Sequence, residues 1–310
     1  MIEVEHLQKR FVVRRGRFRR ERHVVEAVRD ISFRVERGEL VGYLGANGAG
    51  KSTTIKMLTG ILVPSAGRVS VAGMEPSRQR IELAKRIGAM FGQRIQLWWD
   101  LPLFESFELL RHIYRVPADR HRASLARFRE VLDLDPFLRT PVRQLSLGQR
   151  IRGELTAAML HGPELLFLDE PTIGLDVVAK QRVRDFLVEI NRRDGVTVLL
   201  TTHDLGDIER LCERLLVIDR GSLIWDGRIA ELRARYGDER TLVVDLEAPA
   251  PPLEVEGARV ERVEGPRQWL RFRGSAAELT ARVVGAARVV DLQIGEPDIE
   301  EIVRRIYTGK

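Results

Sequence analysis

The sequence has 310 residues, 44% hydrophobic and 31% charged, which suits a soluble globular protein of one large domain or two ordinary ones with a full core. Its net charge is +6, but residues 14–22 alone hold six arginines against one glutamate, so the basicity is local and argues against a broad nucleic-acid-binding face. A single cysteine, Cys212, excludes an intramolecular disulfide and a cysteine-based zinc cluster, and no apolar run approaches the roughly 18 residues that would span a bilayer.

In chain order, the first segment, IEVEHL, alternates apolar and polar residues as a strand does, and no signal-peptide segment precedes it. The basic stretch RRGRFRRERH at 14–23 comes next and is expected to be a solvated hairpin tip. Strand patterns recur at DISFRV, ELVGYLG, RVSVAG, LLFLDE, VTVLLTTH, LLVIDRG and SLIWDG, several followed by helical patterns. That alternation predicts an α/β domain around a largely parallel, buried sheet. From about Leu97 to Gln144 the strand signal gives way to helical periodicity, as in FESFELLRHIYR, which predicts an inserted helical subdomain at about 97–160. After residue 237 the texture changes again to short strands and helices with 11 basic and 14 acidic residues, and 238–310 are expected to form a small α+β domain.

Two stretches carry chemistry. YLGANGAGKST at 43–53 fits the G-x-x-x-x-G-K-[ST] pattern of a phosphate-binding loop and lies between an apolar strand and a helical segment. Gly45, Gly48 and Gly50 let the backbone N–H groups of the loop, with Ala46, Asn47 and Ala49, turn toward phosphates, and the helix start at Lys51, Ser52 and Thr53 adds positive partial charge. Lys51 is placed to reach the β/γ-phosphates and Ser52 to hold Mg²⁺. The second stretch, ELLFLDE, delivers Asp169 and Glu170 at the carboxyl end of a buried strand, where open α/β sheets place ligands. Asp169 is read as a metal-shell residue and Glu170 as the base that polarises an attacking water.

The order LSLGQ, helix, carboxylate strand, PTIGLD and TTHD resembles the ATP-binding-cassette (ABC) ATPases over about residues 2–235. The resemblance implies a P-loop NTPase core with a RecA-like parallel sheet, an antiparallel β-subdomain and a helical subdomain, placing the cassette at 1–237 and the accessory domain at 238–310. It implies that Ser146, Gly148 and Gln149 of the signature motif close over nucleotide held by a second copy in a head-to-tail dimer, with Leu147 standing where glycine is usual. It further assigns Asp176 to the loop between the two sites, His203 to the γ-phosphate and attacking water, Gln93 to Mg²⁺ and water, and Phe11 to adenine stacking, where a core phenylalanine is the competing reading. Trp98 and Trp99 fall where the family's ATPases meet their permease, although at least one of them could be core.

The C-terminal appendage and FGQRIQLWWDLP are similar to the ABC-2-type branch of daunorubicin-resistance-like exporters. The implied function is ATP hydrolysis, with ATP and Mg²⁺, powering export through a separate polytopic permease from the cytoplasmic side of the membrane. A nucleic-acid or ribosome-directed cassette ATPase and an importer ATPase are the rival readings, and no nucleic-acid partner is expected.

Overall fold

The computed structural model describes residues 1–15, 21–91, 95–202, 204–237, 239–295 and 299–308. Its contacts divide the chain into two units, Met1–Gly227 and Arg228–Lys310. The division falls ten residues before the change of texture after residue 237, because a helix over Ile229–Tyr236 packs with the last helix of the second unit.

The first unit contains β1 (Ile2–Arg15), β2 (Glu21–Val35), β3 (Leu40–Gly45), α1 (Lys51–Leu58), β4 (Ala66–Val71), α2 (Arg80–Ala84) and β5 (Ile87–Phe91). It continues with α3 (Leu103–Tyr114), α4 (Ala118–Val131), α5 (Leu147–Met159), β6 (Leu165–Asp169), α6 (Val177–Asp194), β7 (Thr197–Thr201), α7 (Leu205–Leu211), β8 (Arg214–Asp219) and β9 (Ser222–Arg228). The strands form a sheet in the order β4-β1-β2-β9-β8-β3-β7-β6-β5. β4, β1 and β2 pair antiparallel, whereas β8, β3, β7, β6 and β5 run parallel. Parallel strands covered on both faces read as continuous apolar runs, and Leu165, Leu166, Phe167 and Leu168 of β6 are fully buried.

One apolar cluster joins the antiparallel wing to the parallel sheet: Ile2, Val28 and Phe33 pack in the same core as Tyr43, Ile55 and Phe167. Tyr43 donates its hydroxyl to Thr54 at 3.2 Å, tying β3 to α1 on either side of the loop between them. The β1–β2 hairpin keeps its register outward to Arg15 opposite Glu21, so the described part of the basic stretch prolongs these two strands; residues 16–20 lie outside the described residues. Between Leu97 and Leu160 the regular elements are α3, α4, α5 and two 3₁₀ turns.

The second unit consists of α8 (Ile229–Tyr236), β10 (Arg240–Leu246), β11 (Ala258–Glu264), β12 (Arg267–Phe272), α9 (Ala276–Ala286), β13 (Val289–Gly295) and α10 (Ile299–Thr308). Its antiparallel sheet, ordered β11-β12-β10-β13, buries Leu242, Val244 and Leu270 against Leu279 and Val283 of α9. Leu279 and Val283 are four residues apart and so share a face of that helix. Among the described residues, no helix is long and apolar enough to cross a membrane.

Candidate functional site

The buried strand β3 ends at Gly45, and the loop after it turns into α1 through Gly50, whose φ of 109° lies in the left-handed region. A Cβ at Gly50 would stand 2.5 Å from the Ala27 carbonyl oxygen, so both its conformation and the closeness of β2 require glycine there. Gly221 donates its N–H to the Ala49 carbonyl at 2.9 Å and pins the loop to the β8–β9 turn. No side chain caps the start of α1. The orphan N–H groups of a helix start, together with its dipole, make an anion site, and here they open onto a loop packed against β2 and the β8–β9 turn.

Lys51 is 7% exposed and its ammonium folds onto the loop, donating to the carbonyls of Gly45 at 2.6 Å and Ala46 at 3.2 Å. Burial draws its pKa below the ordinary lysine value, opposed by the carboxylates of Glu170 and Asp169. Ser52, the next residue, donates to Asp169 at 3.1 Å, and Thr201 at the end of β7 donates to the other carboxylate oxygen at 2.6 Å. The adjacent Lys51 and Ser52 and the adjacent Asp169 and Glu170, two pairs far apart in sequence, therefore share one electrostatic cluster at the carboxyl ends of β3 and β6. Its oxygen donors, a hydroxyl beside a carboxylate, are of the hard kind that Mg²⁺ takes.

Glu170 leaves the strand in a left-handed conformation, φ 58°, which costs a non-glycine residue on the order of 1–3 kcal/mol and persists only where the surroundings impose it. Its N–H still donates to the Thr201 carbonyl at 2.9 Å, so the bend is anchored to β7. Strain placed one residue beyond a metal-binding type of carboxylate is where a functional site stores it.

The signature residues form a second group. Ser146 caps α5, accepting the Gln149 N–H at 3.3 Å while the Gln149 side chain accepts the Ser146 N–H at 2.9 Å, a reciprocal capping box. Leu147 is 39% exposed, and its Cδ2 lies 2.8 Å from where a Cβ on Gly174 would be. The leucine is thus accommodated in place of the usual glycine because a glycine faces it. Asp176 caps α6 by accepting the Ala179 N–H at 2.8 Å, and a Cβ on Gly148 would meet Leu175 and Ala179 only at ordinary contact distance. This group is built around the 173–176 loop, and the phosphate-loop group around Asp169.

Phe11 is half-buried on β1 opposite Val25, outside the buried core, with the Lys9 ammonium 5.1 Å from its ring centre. Trp98 and Trp99 are 38% and 47% exposed, and Ile95, Phe104 and Ile113 are exposed in the same helical region. Gln93 and His203 lie outside the described residues. The chain just beyond His203 is firmly held: Asp204 pairs with Lys180 at 2.7 Å, and the fully buried Asp207 accepts from Thr172 at 2.5 Å and pairs with Arg184. Sequence reasoning missed Thr201, Thr172 and Asp207. For Thr201 a signal existed, since hydroxyls end the apolar run in LLTTHD; for Asp207, one acid in an amphipathic helix, nothing set it apart from a solvated one.

Residues 28–173 match the family model described as ABC transporter. The chain is 39% identical over 223 residues to the daunorubicin resistance ATP-binding protein DrrA3 of Streptomyces coeruleorubidus, covering 72% of this chain and 70% of that protein. It is 32% identical over 294 residues to the linearmycin resistance ATP-binding protein LnrL of Bacillus subtilis (strain 168), covering 91% of this chain and 94% of that one. Among solved structures, a dimeric ATP-binding cassette in a post-hydrolysis state with ADP and Pi bound aligns with a TM-score of 0.65 at 25% identity, covering 74% of this chain and 99% of that chain.

Proposed function

Since the chain belongs to the ABC transporter family, as one of its ATP-binding ATPase subunits, we propose that it powers export of a small molecule through a separate membrane permease, working as a head-to-tail pair of copies. The observation that carries the reading is the cluster in which Ser52 and Thr201 both hold Asp169 beside the buried Lys51 and the strained Glu170. The α1 start and the loop N–H groups from Ala46 to Gly50 receive the phosphates, and Lys51 exchanges its two carbonyl partners for phosphate oxygens. Ser52 and Asp169, with Gln93, would hold Mg²⁺, which would supply positive charge to the phosphates. Glu170 orients a water and takes its proton during attack on the γ-phosphorus, and His203 steadies the same water.

Ser146, Gly148 and Gln149 of one copy face the nucleotide held by the other, with Asp176 between the two sites and Phe11 against the adenine. Such a site is complete only when two copies close on ATP, and opens again once the γ-phosphate is cleaved, which converts hydrolysis into movement. The exposed Trp98 and Trp99 are the contacts through which that movement reaches the permease, and the chain would then work peripherally on the cytoplasmic side of the membrane. Export is favoured because DrrA3 and LnrL are named for resistance to daunorubicin and linearmycin.

Purification of the chain from native membranes, with identification of what accompanies it, tests the transport reading. A polytopic membrane protein in fixed stoichiometry, lost on Trp98→Ala/Trp99→Ala, is expected. Ribosomes or RNA in its place would sink the reading, and a permease paired with an extracytoplasmic substrate-binding protein would reverse the direction to import.

A further inference from the structure

Glu154 is 5% exposed in the middle of α5, two turns beyond Ser146, and has no part in the ATP site as assigned to the residues of the phosphate loop, the carboxylate strand and the signature. A buried carboxylate needs partners. It finds them in backbone: Gln96 donates its N–H to the two oxygens at 2.9 and 3.2 Å, and Leu97 donates at 3.3 Å. The next N–H, of Trp98, goes to the fully buried Ser106 of α3 at 3.2 Å. Three successive backbone donors are thus held by side chains of the helical region.

The Gln96 side chain reaches the other way and donates to the Ala89 carbonyl of β5 at 2.5 Å. Two residues on, Phe91 of β5 stands in register with Asp169 of β6. The packing beside Glu154 has no slack, because a Cβ on Gly153 would lie 2.9 Å from Leu103 and 3.2 Å from Leu97. A continuous path therefore leads from Asp169 through β5 and Gln96 to Glu154, and along α5 to Ser146. Burial pushes the Glu154 carboxyl up to about 7, opposed by its backbone donors and by Arg150 one turn earlier on the helix. An acid kept in that state at the centre of a helix is costly, and an apolar residue would pack there without it.

We propose that Glu154 is a positioning residue for ATP hydrolysis: through Gln96 it ties the edge strand β5, which pairs with Asp169 of β6, to the helix that presents Ser146, holding Asp169 and Ser146 in fixed relation. This rests on the proposed function, in which both residues serve ATP turnover. The tie acts on the rate of turnover and not on nucleotide capture, because the Lys51 loop is not part of it.

In the full chain, Glu154→Ala is expected to lower kcat about tenfold while the ATP dissociation constant stays within about twofold, the scale of coupling through such networks. Glu154→Gln, which keeps an oxygen for the Gln96 and Leu97 N–H groups, restores most of the loss. In the wild-type chain the Gln96 and Leu97 amides stay protected from hydrogen exchange both with and without a non-hydrolysable ATP analogue, a measurement that needs no variant to fold. Equal kcat in wild type and Glu154→Ala, a glutamine variant no better than alanine, affinity falling in step with kcat, or unprotected amides each overturn the proposal. A wild-type chain that hydrolyses no ATP overturns the function reading instead, and with it the premise.

Discussion

Glu170→Gln is expected to lower ATP turnover by about 10²–10⁴-fold, the usual worth of a positioned general base, while ATP binding is kept. The amide is isosteric and keeps an oxygen near the water, but it cannot take a proton. The left-handed bend at Glu170 is set by the backbone bond to Thr201, so the substitution leaves the geometry of the loop in place. Bound ATP then persists between two copies, and a nucleotide-dependent dimer accumulates that size-exclusion chromatography with light scattering detects. Turnover at the wild-type rate would remove Glu170 from the role of base and leave Mg²⁺-assisted attack by another group to be sought.

Lys51→Ala has the second largest expected effect, on binding itself. The ammonium is held over the loop by two carbonyls and is almost fully buried, so its removal takes from the phosphates their nearest cation. Loss of one partner of a buried, charge-assisted contact costs about 2–5 kcal/mol, a fall in ATP affinity of roughly 30-fold or more. Equilibrium dialysis measures it, and unchanged affinity would place the phosphates elsewhere. Lys51→Arg is not a conservative rescue, because the planar guanidinium cannot occupy the position of a compact ammonium between Gly45 and Ala46.

The phosphate loop was legible in the sequence because the chemistry of GANGAGKST acts locally: the left-handed Gly50 and the free helix start arise from adjacent residues. The carboxylate strand was legible through its context: an apolar run ending in two acids is common by itself, but after a phosphate loop upstream it reads as a strand that delivers carboxylates to the same site. Strand β5 was not. Its sequence IGAMF looks weak because Gly88 and Ala89 are small, yet a Cβ on Gly88 would stand 2.4 Å from the Ala158 carbonyl oxygen, so α5 itself requires the small residue. The basic stretch was expected as a hairpin tip, and β1 and β2 stay paired out to Arg15 and Glu21, since backbone pairing between strands needs no apolar side chains.

Asp207 and Glu154 escaped notice because an acid in an amphipathic helix normally faces water, and only the packed neighbours reveal that these two do not. The boundary between units escaped for the opposite reason. Composition changes after residue 237, whereas the helix Ile229–Tyr236 belongs by contact to the second unit.

We propose that each ATP is turned over by residues from two copies of this chain, and mixing two inactive variants decides whether it is. Lys51→Ala lacks the phosphate lysine and keeps an intact signature. Gly148→Asp keeps the lysine and sets a carboxylate at the signature, at a position where a Cβ meets neighbours only at 3.5 and 3.6 Å and so does not disturb the fold. Each variant alone is expected to be inactive. In the mixture, ATP turnover should reappear, because a hybrid pair unites the Lys51 of one copy with the unaltered Ser146 and Gly148 of the other. A mixture as inactive as its components, with hybrid pairs shown to form, would contradict a site shared between copies.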